Sequence, residues 1–148
     1  MNNYQTNGKG SKFNDNHPQE KYQFALQFKA EWVTESVTEE CMNLCETLAK
    51  TLANDGVSTS LLRNIFGEMR RIEAGGFDKH RAEFILLRPK LAYTCSRATD
   101  RNSKEILTDF QELYKKAAHE VKNAEHFKNL VSIMEAIVAF HKVNGGNK

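Results

Sequence analysis

Arginine occurs in this chain of 148 residues only between Arg63 and Arg101, at Arg63, Arg70, Arg71, Arg81, Arg88, Arg97 and Arg101, while lysine runs along the whole length. A guanidinium is a planar fork of donors that stays charged at any biological pH and matches a phosphate or carboxylate bidentately. Lysine is a flexible point charge. Reserving arginine for one stretch points to fixed anions, either backbone phosphates or a partner's carboxylates; the plain alternative is a cluster of solvated charges. Arg63 and Arg70 are seven residues apart, so on a helix they project from one side about 10 Å from each other, with Arg71 beside that line. Such forks grip phosphates without reading a base. Lys90, Tyr93 and Arg97 form a second stripe at helical spacing, and an aromatic between two cations suits stacking on a base or ribose, or else a half-buried position. Arg81 and Arg88 form a further stripe. Arg88 and Arg97 are about half a turn out of phase, so unless Pro89 bends the axis enough to bring them round, one of them faces something else, such as an acidic protein surface.

Other chemistries lack their residues. His17, His80, His119, His126 and His141 are dispersed, and His119 with His126 lacks the four-residue spacing of a zinc-binding pair. Gly75 and Gly76 precede Asp78 without the lysine and hydroxyl residue of a phosphate-binding loop. Cys41, Cys45 and Cys95 are odd in number without metal-type spacing, and Cys41 and Cys45 share an apolar stripe, which reads as burial of reduced thiols. Glu135 and His141 have no partner suggesting acid-base work. No cofactor, metal or catalytic residue is expected, and the chain reads as a non-enzyme.

These cations need a frame, and the apolar spacing supplies one. From about Thr34, Val37, Cys41, Leu44, Cys45, Leu48 and Leu52 recur every three or four residues up to Asn54, Asp55 and Gly56. A second helix starts at Ser58 or Thr59, buries Leu62, Ile65, Phe66, Met69 and Ile72, and breaks at Gly75 and Gly76. Asp78 caps a third through Phe84, Leu87, Leu91 and Cys95, with Pro89 inside it. After a polar turn over Thr99 to Ser103, a fourth carries Ile106, Phe110, Leu113, Ala117 and Val121. The fifth carries Phe127, Leu130, Val131, Met134, Ile137, Val138 and His141. About five amphipathic helices with short connections predict an all-α, compact antiparallel bundle over residues 34–143.

Residues 1–23 read as a disordered polar tail, too poor in aliphatic residues to offset ordering entropy, and residues 144–148 as a flexible C-terminus. Tyr22, Phe24, Leu26, Phe28 and Trp32 alternate, giving residues 24–33 as an aromatic arm or connector, strand-like or extended, on the core or on a partner. Glu31, Glu35, Glu39, Glu40, Glu46 and Asp55 give the early part an acidic face opposed to Lys50 alone, which favours oriented docking against the arginine stretch. No apolar run resembles a secretion signal or spans a bilayer, so the expected location is the cytoplasm, with no membrane partner.

The run Phe84-Ile85-Leu86-Leu87-Arg88-Pro89-Lys90-Leu91-Ala92-Tyr93, closed by Arg97, resembles the most diagnostic segment of the small-subunit family of type III-A CRISPR effector complexes, the Csm small subunit. Thr59-Ser60-Leu61-Leu62-Arg63-Asn64-Ile65 and Met134-Glu135-Ala136-Ile137-Val138-Ala139-Phe140-His141-Lys142 agree with it, so the likeness covers about Val37 to Lys142. Thr94-Cys95-Ser96 departs from the small residues more usual there. The resemblance implies a helical, non-catalytic protein of antiviral defence, present in several copies that stack head to tail as an inner filament. Its implied partners are the guide RNA and target RNA, the repeated backbone subunits and the polymerase-like large subunit. It implies contact mainly with the target strand's sugar-phosphate backbone, leaving sequence to base pairing. Arg63, Arg88, Lys90 and Arg97 lie in the matching segments, and Arg70 and Arg71 join them by helical geometry.

Two rivals use the same arginines. A helix-turn-helix DNA binder would use the second and third helices, although the Ile72 to Asp78 turn is loose and the third helix lacks base-reading residues at its start. A structural adaptor would set the arginines against acidic proteins.

Overall fold

A computed structural model describes residues 23–98 and 100–146, and among these residues the chain is all-α. Five long helices are α3 (Glu39–Asn54), α4 (Thr59–Gly75), α5 (Arg81–Ser96), α6 (Arg101–His119) and α7 (Ala124–Val143), preceded by two single turns, α1 (Phe24–Gln27) and α2 (Glu31–Thr34). The expected tail lies outside the described residues except for Gln23.

Short polar side chains set four of the starts by accepting from amides that have no partner within the helix. Thr38 accepts from the Cys41 amide, Ser58 from Leu61, Asp100 from Ser103 and Asn123 from His126. Thr38 also corrects the expected start near Thr34: its extended backbone separates half-buried Val37 from α3. Ser58 is the cap of α4 and Thr59 its first residue. Gly76, at φ 99°, ends that helix in a backbone conformation that a side chain would strain.

Asp78 does not cap α5. It opens a 3-10 turn, Asp78–His80, that runs straight into the helix, and its carboxylate accepts from Arg81 Nη2 at 3.1 Å. Phe77 fixes this entry, because its buried ring packs on Phe84 and Phe127 at centroid distances of 5.4 and 5.0 Å. The helix continues through Pro89, where Ile85 and Pro89 are both exposed, so water can serve the carbonyl that the proline leaves without a donor. The turn expected to reach Ser103 is shorter. Ser103 is already helical and buried, and its hydroxyl donates to Asp55 O at 2.7 Å, tying the start of α6 to the end of α3.

Residues 24–34 form two single helical turns, Phe24–Gln27 and Glu31–Thr34, joined through extended Phe28, rather than a strand, and they pack on the bundle. Phe24, Phe28 and Trp32 are four residues apart and all buried, with Trp32 only 2% exposed. The Asp109 carboxylate on α6 accepts from the amides of Phe24 and Ala25, Lys116 Nζ donates to Ala25 O at 2.6 Å, and Asn129 Nδ2 donates to Val33 O at 2.8 Å. Leu26, the odd member of the alternating set, faces solvent.

The core is shared. α7 packs against α2, α3 and α4, α6 packs against α1, α3 and α5, and α4 runs along α5. Phe110, Phe127, Leu48, Leu62, Leu87 and Ile106 are fully buried between these layers, each contributing about 1.5–3 kcal/mol by leaving water. No helix among the described residues is long and apolar enough to cross a membrane.

Candidate nucleic-acid interface

All six of the expected cations lie on α4, on α5 or at the C-terminal end of α5. Burial of Leu62, Ile65, Met69 and Ile72 turns the other side of α4 outward, and Arg63, Arg70 and Arg71 are all exposed on it. On α5, Leu87, Leu91 and Cys95 point inward and leave Lys90, Tyr93 and Arg97 exposed, with Tyr93 66% accessible. Two clefts lie along this pair. One is lined by Asn64, Glu68, Leu86, Pro89, Lys90, Tyr93 and Thr94. The other is lined by Ser58, Ser60, Asn64, Thr94, Arg97, Asp100 and Ser103 among others. They share Asn64 and Thr94, so they adjoin.

Ion pairing divides the six expected cations. Arg70 Nε lies 3.6 Å from Glu73, Arg71 Nη2 pairs with Glu68 Oε1, and Lys90 Nζ reaches the same Glu68 oxygen at 3.8 Å. Arg63, Arg88 and Arg97 pair with no carboxylate among the described residues. Arg97 instead lies over the Tyr93 ring, 5.9 Å from its centroid, and Arg70 over Phe66 at 5.7 Å. The free guanidiniums on the α4–α5 face are thus Arg63 and Arg97.

Arg88 belongs elsewhere. It lines a separate cleft with Phe28, Phe84, Ile85, Tyr114, Lys115 and His119, between α5 and α6. Pro89 does not bring it round to the cleft lined by Arg97, as the half-turn phase difference anticipates. Arg81 donates to Asp78 and to Lys122 O, and Arg101 pairs with Glu105.

Sequence reasoning overlooked Glu68, Ser60 and Asn64. The three-residue step from Glu68 to Arg71 was visible as a helical ion-pair spacing, whereas the reach of Lys90 across from α5 depends on how the two helices pack. Ser60 and Asn64 are ordinary polar residues in a sequence, and only their place in the clefts distinguishes them.

Cys41, Cys45 and Cys95 are buried, burial pushes the Cys95 thiol up to about 12, and Cys45 is pushed up by its hydrogen bond with Cys41 and by burial. Among the described residues no group of His, Cys, Asp and Glu is placed to hold a metal ion. The acidic side chains Glu31, Glu35, Glu39, Glu40 and Glu46 are exposed on α2, α3 and the loop between them.

A family model described as Csm2 Type III-A matches residues 35–147. No curated protein and no solved structure matches the chain.

Proposed function

Because the chain belongs to the Csm2 Type III-A family, and so to the small subunits of type III-A CRISPR effector complexes, we propose that it binds the guide RNA/target RNA duplex without catalysis. The contact is mainly with the sugar-phosphate backbone of the target strand. The observation that carries this reading is the pair of exposed guanidiniums without a carboxylate partner, Arg63 on α4 and Arg97 at the end of α5, with Arg97 lining one of two adjoining clefts and Lys90 and Tyr93 lining the other. Forks that lack an internal carboxylate meet phosphates without first breaking an ion pair. Arg70, Arg71 and Lys90 add charge to the same face after giving up Glu73 or Glu68. The track contains no array of base-edge readers, which suits a protein that leaves sequence to pairing.

Arg88, on the α5–α6 side, is assigned to a protein neighbour in the complex, where the repeated backbone subunits and the polymerase-like large subunit are the available surfaces. Copies of the chain stack head to tail, the exposed glutamates of α2 and α3 meeting cations of the next copy. Such a complex works in the cytoplasm.

Salt titration of duplex binding by the full-length chain tests the reading. Backbone binding makes log affinity fall linearly with log salt, and each lost phosphate contact shallows the slope by about 0.7–0.9. The Arg63→Ala/Arg97→Ala double variant should shallow it by close to twice that, equally for unrelated sequences. An unchanged slope would assign these arginines to protein surfaces instead.

A further inference from the structure

The two adjoining clefts between α4 and α5 are rich in polar side chains, and several of these are already engaged. The Ser58 hydroxyl accepts from Leu61 N, and Ser103 donates to Asp55 O. Asp100 accepts from Ser103 N, Thr94 donates to Lys90 O at 2.9 Å, and Glu68 holds Arg71 and Lys90. Four polar lining residues have side chains with no hydrogen bond or ion pair to any described residue: Ser60, Asn64, Tyr93 and Arg97. Of these, Asn64 alone lines both clefts. It lies between Arg97 on one side and Lys90 with Tyr93 on the other.

We propose that Asn64 reads the ribose 2′-hydroxyl of the bound strand, making this face select RNA over DNA. The reading rests on the duplex-binding function proposed above. A 2′-hydroxyl both donates and accepts, and it is what distinguishes RNA from DNA at a given contact. A carboxamide carries an acceptor oxygen and a donor NH2, so it can satisfy either half of that group. Arginine offers donors only, and the free guanidinium of Arg97, in the same cleft as Asn64, serves a phosphate beside the sugar it meets. Tyr93, exposed in the adjoining cleft, is placed to lie against a ribose or base. Asp100 lines the outer cleft, and its carboxylate oxygen is turned to the Ser103 amide.

The test is fluorescence anisotropy of the full-length chain at low salt with three duplexes of one sequence: RNA/RNA, RNA guide with a DNA target strand, and RNA/RNA with a 2′-O-methylated target strand. The methylated duplex keeps A-form shape and blocks the hydroxyl as a donor, which separates contact from shape. The wild-type chain should prefer the unmodified RNA duplex over both others by about 3- to 10-fold, the worth of one net hydrogen bond. Asn64→Ala should erase the preference against the methylated strand and leave the salt slope unchanged. Asn64 is exposed on a helix, where alanine is the better helix former, so the variant folds. Arg97→Ala should weaken all three duplexes alike. A wild-type chain indifferent to 2′-O-methylation, or an Asn64→Ala variant that keeps the preference, overturns the assignment. If Arg97→Ala leaves all affinities intact, the duplex-binding function itself fails.

Discussion

Glu68 offers a sharp perturbation of the cationic face, because one carboxylate oxygen holds both Arg71 and Lys90. Replacing it with glutamine keeps the shape and removes the charge. Two unit charges 4 Å apart are worth about 1 kcal/mol in water. The partners are well exposed, with side-chain accessibilities of 68% for Arg71, 55% for Lys90 and 30% for Glu68, so each pair stays near that water-like figure or below it. A phosphate must displace Glu68 before it can engage either cation. Glu68→Gln therefore removes a competitor worth about 1–2 kcal/mol in all, or about 5- to 30-fold in affinity, while folding loses no more than about the same amount. Binding of an RNA duplex at about 50 mM salt should tighten roughly tenfold, and the salt slope should steepen by about 0.7–0.9 for each cation newly neutralised by phosphate. Glu73→Gln frees only Arg70 and should gain less. A Glu68→Gln protein with wild-type circular dichroism and no gain in affinity would show that Arg71 and Lys90 never meet phosphate.

Two further outcomes concern the frame. Trp32→Ala should cost about 3–5 kcal/mol, the usual price of emptying a buried tryptophan site, seen as a lower urea midpoint; an unchanged midpoint would mean that residues 24–34 are a dispensable connector. His141 is 1% exposed, and its Nε2–H donates to Val57 O at 2.9 Å. Burial lowers its pKa from 6.5, so the unfolded chain takes up the proton first as pH falls. The stability it contributes is present above pH 6.5 and is lost as pH drops through the lowered folded-state value, and His141→Gln should flatten that part of the urea midpoint between pH 7 and pH 5.

The long helices were legible because each repeats apolar residues every three or four positions, and four of them begin at a short polar cap, Thr38, Ser58, Asp100 or Asn123. Helix α5 shows where that logic stops. Asp78 has the chemistry of a cap and the right place before an apolar run, yet Phe77, buried against α7, draws the chain into a 3-10 turn that leaves no extended residue for Asp78 to occupy. The aromatic segment shows the opposite failure. Its alternation suggested a strand, while Phe24, Phe28 and Trp32 already carried the four-residue helical step, and only the Asp109 and Lys116 contacts from α6 decide between the periods. Arginine clustering located the cationic face but not its internal carboxylates, since the Glu68 link to Lys90 crosses between helices 22 residues apart in sequence.

The division of the cations between free and clamped suits the sequence-indifferent binding proposed for this subunit. On the proposed duplex-binding reading, two unpaired guanidiniums would give each copy a weak grip, and Glu68 and Glu73 would keep three more cations from adding their full strength. Weak contacts held in line by neighbouring copies sum to a firm one, because each further contact forms at the high effective concentration set by the last. A single copy carrying five free cations would hold any stray polyanion. Arg88, set apart in the α5–α6 cleft, is spared from that sum, and its loss should weaken recovery of the chain with tagged partner subunits while leaving the salt slope of RNA binding unchanged. A reduced slope in Arg88→Ala would place the nucleic acid across α5 and α6 and reverse the assignment of the two faces.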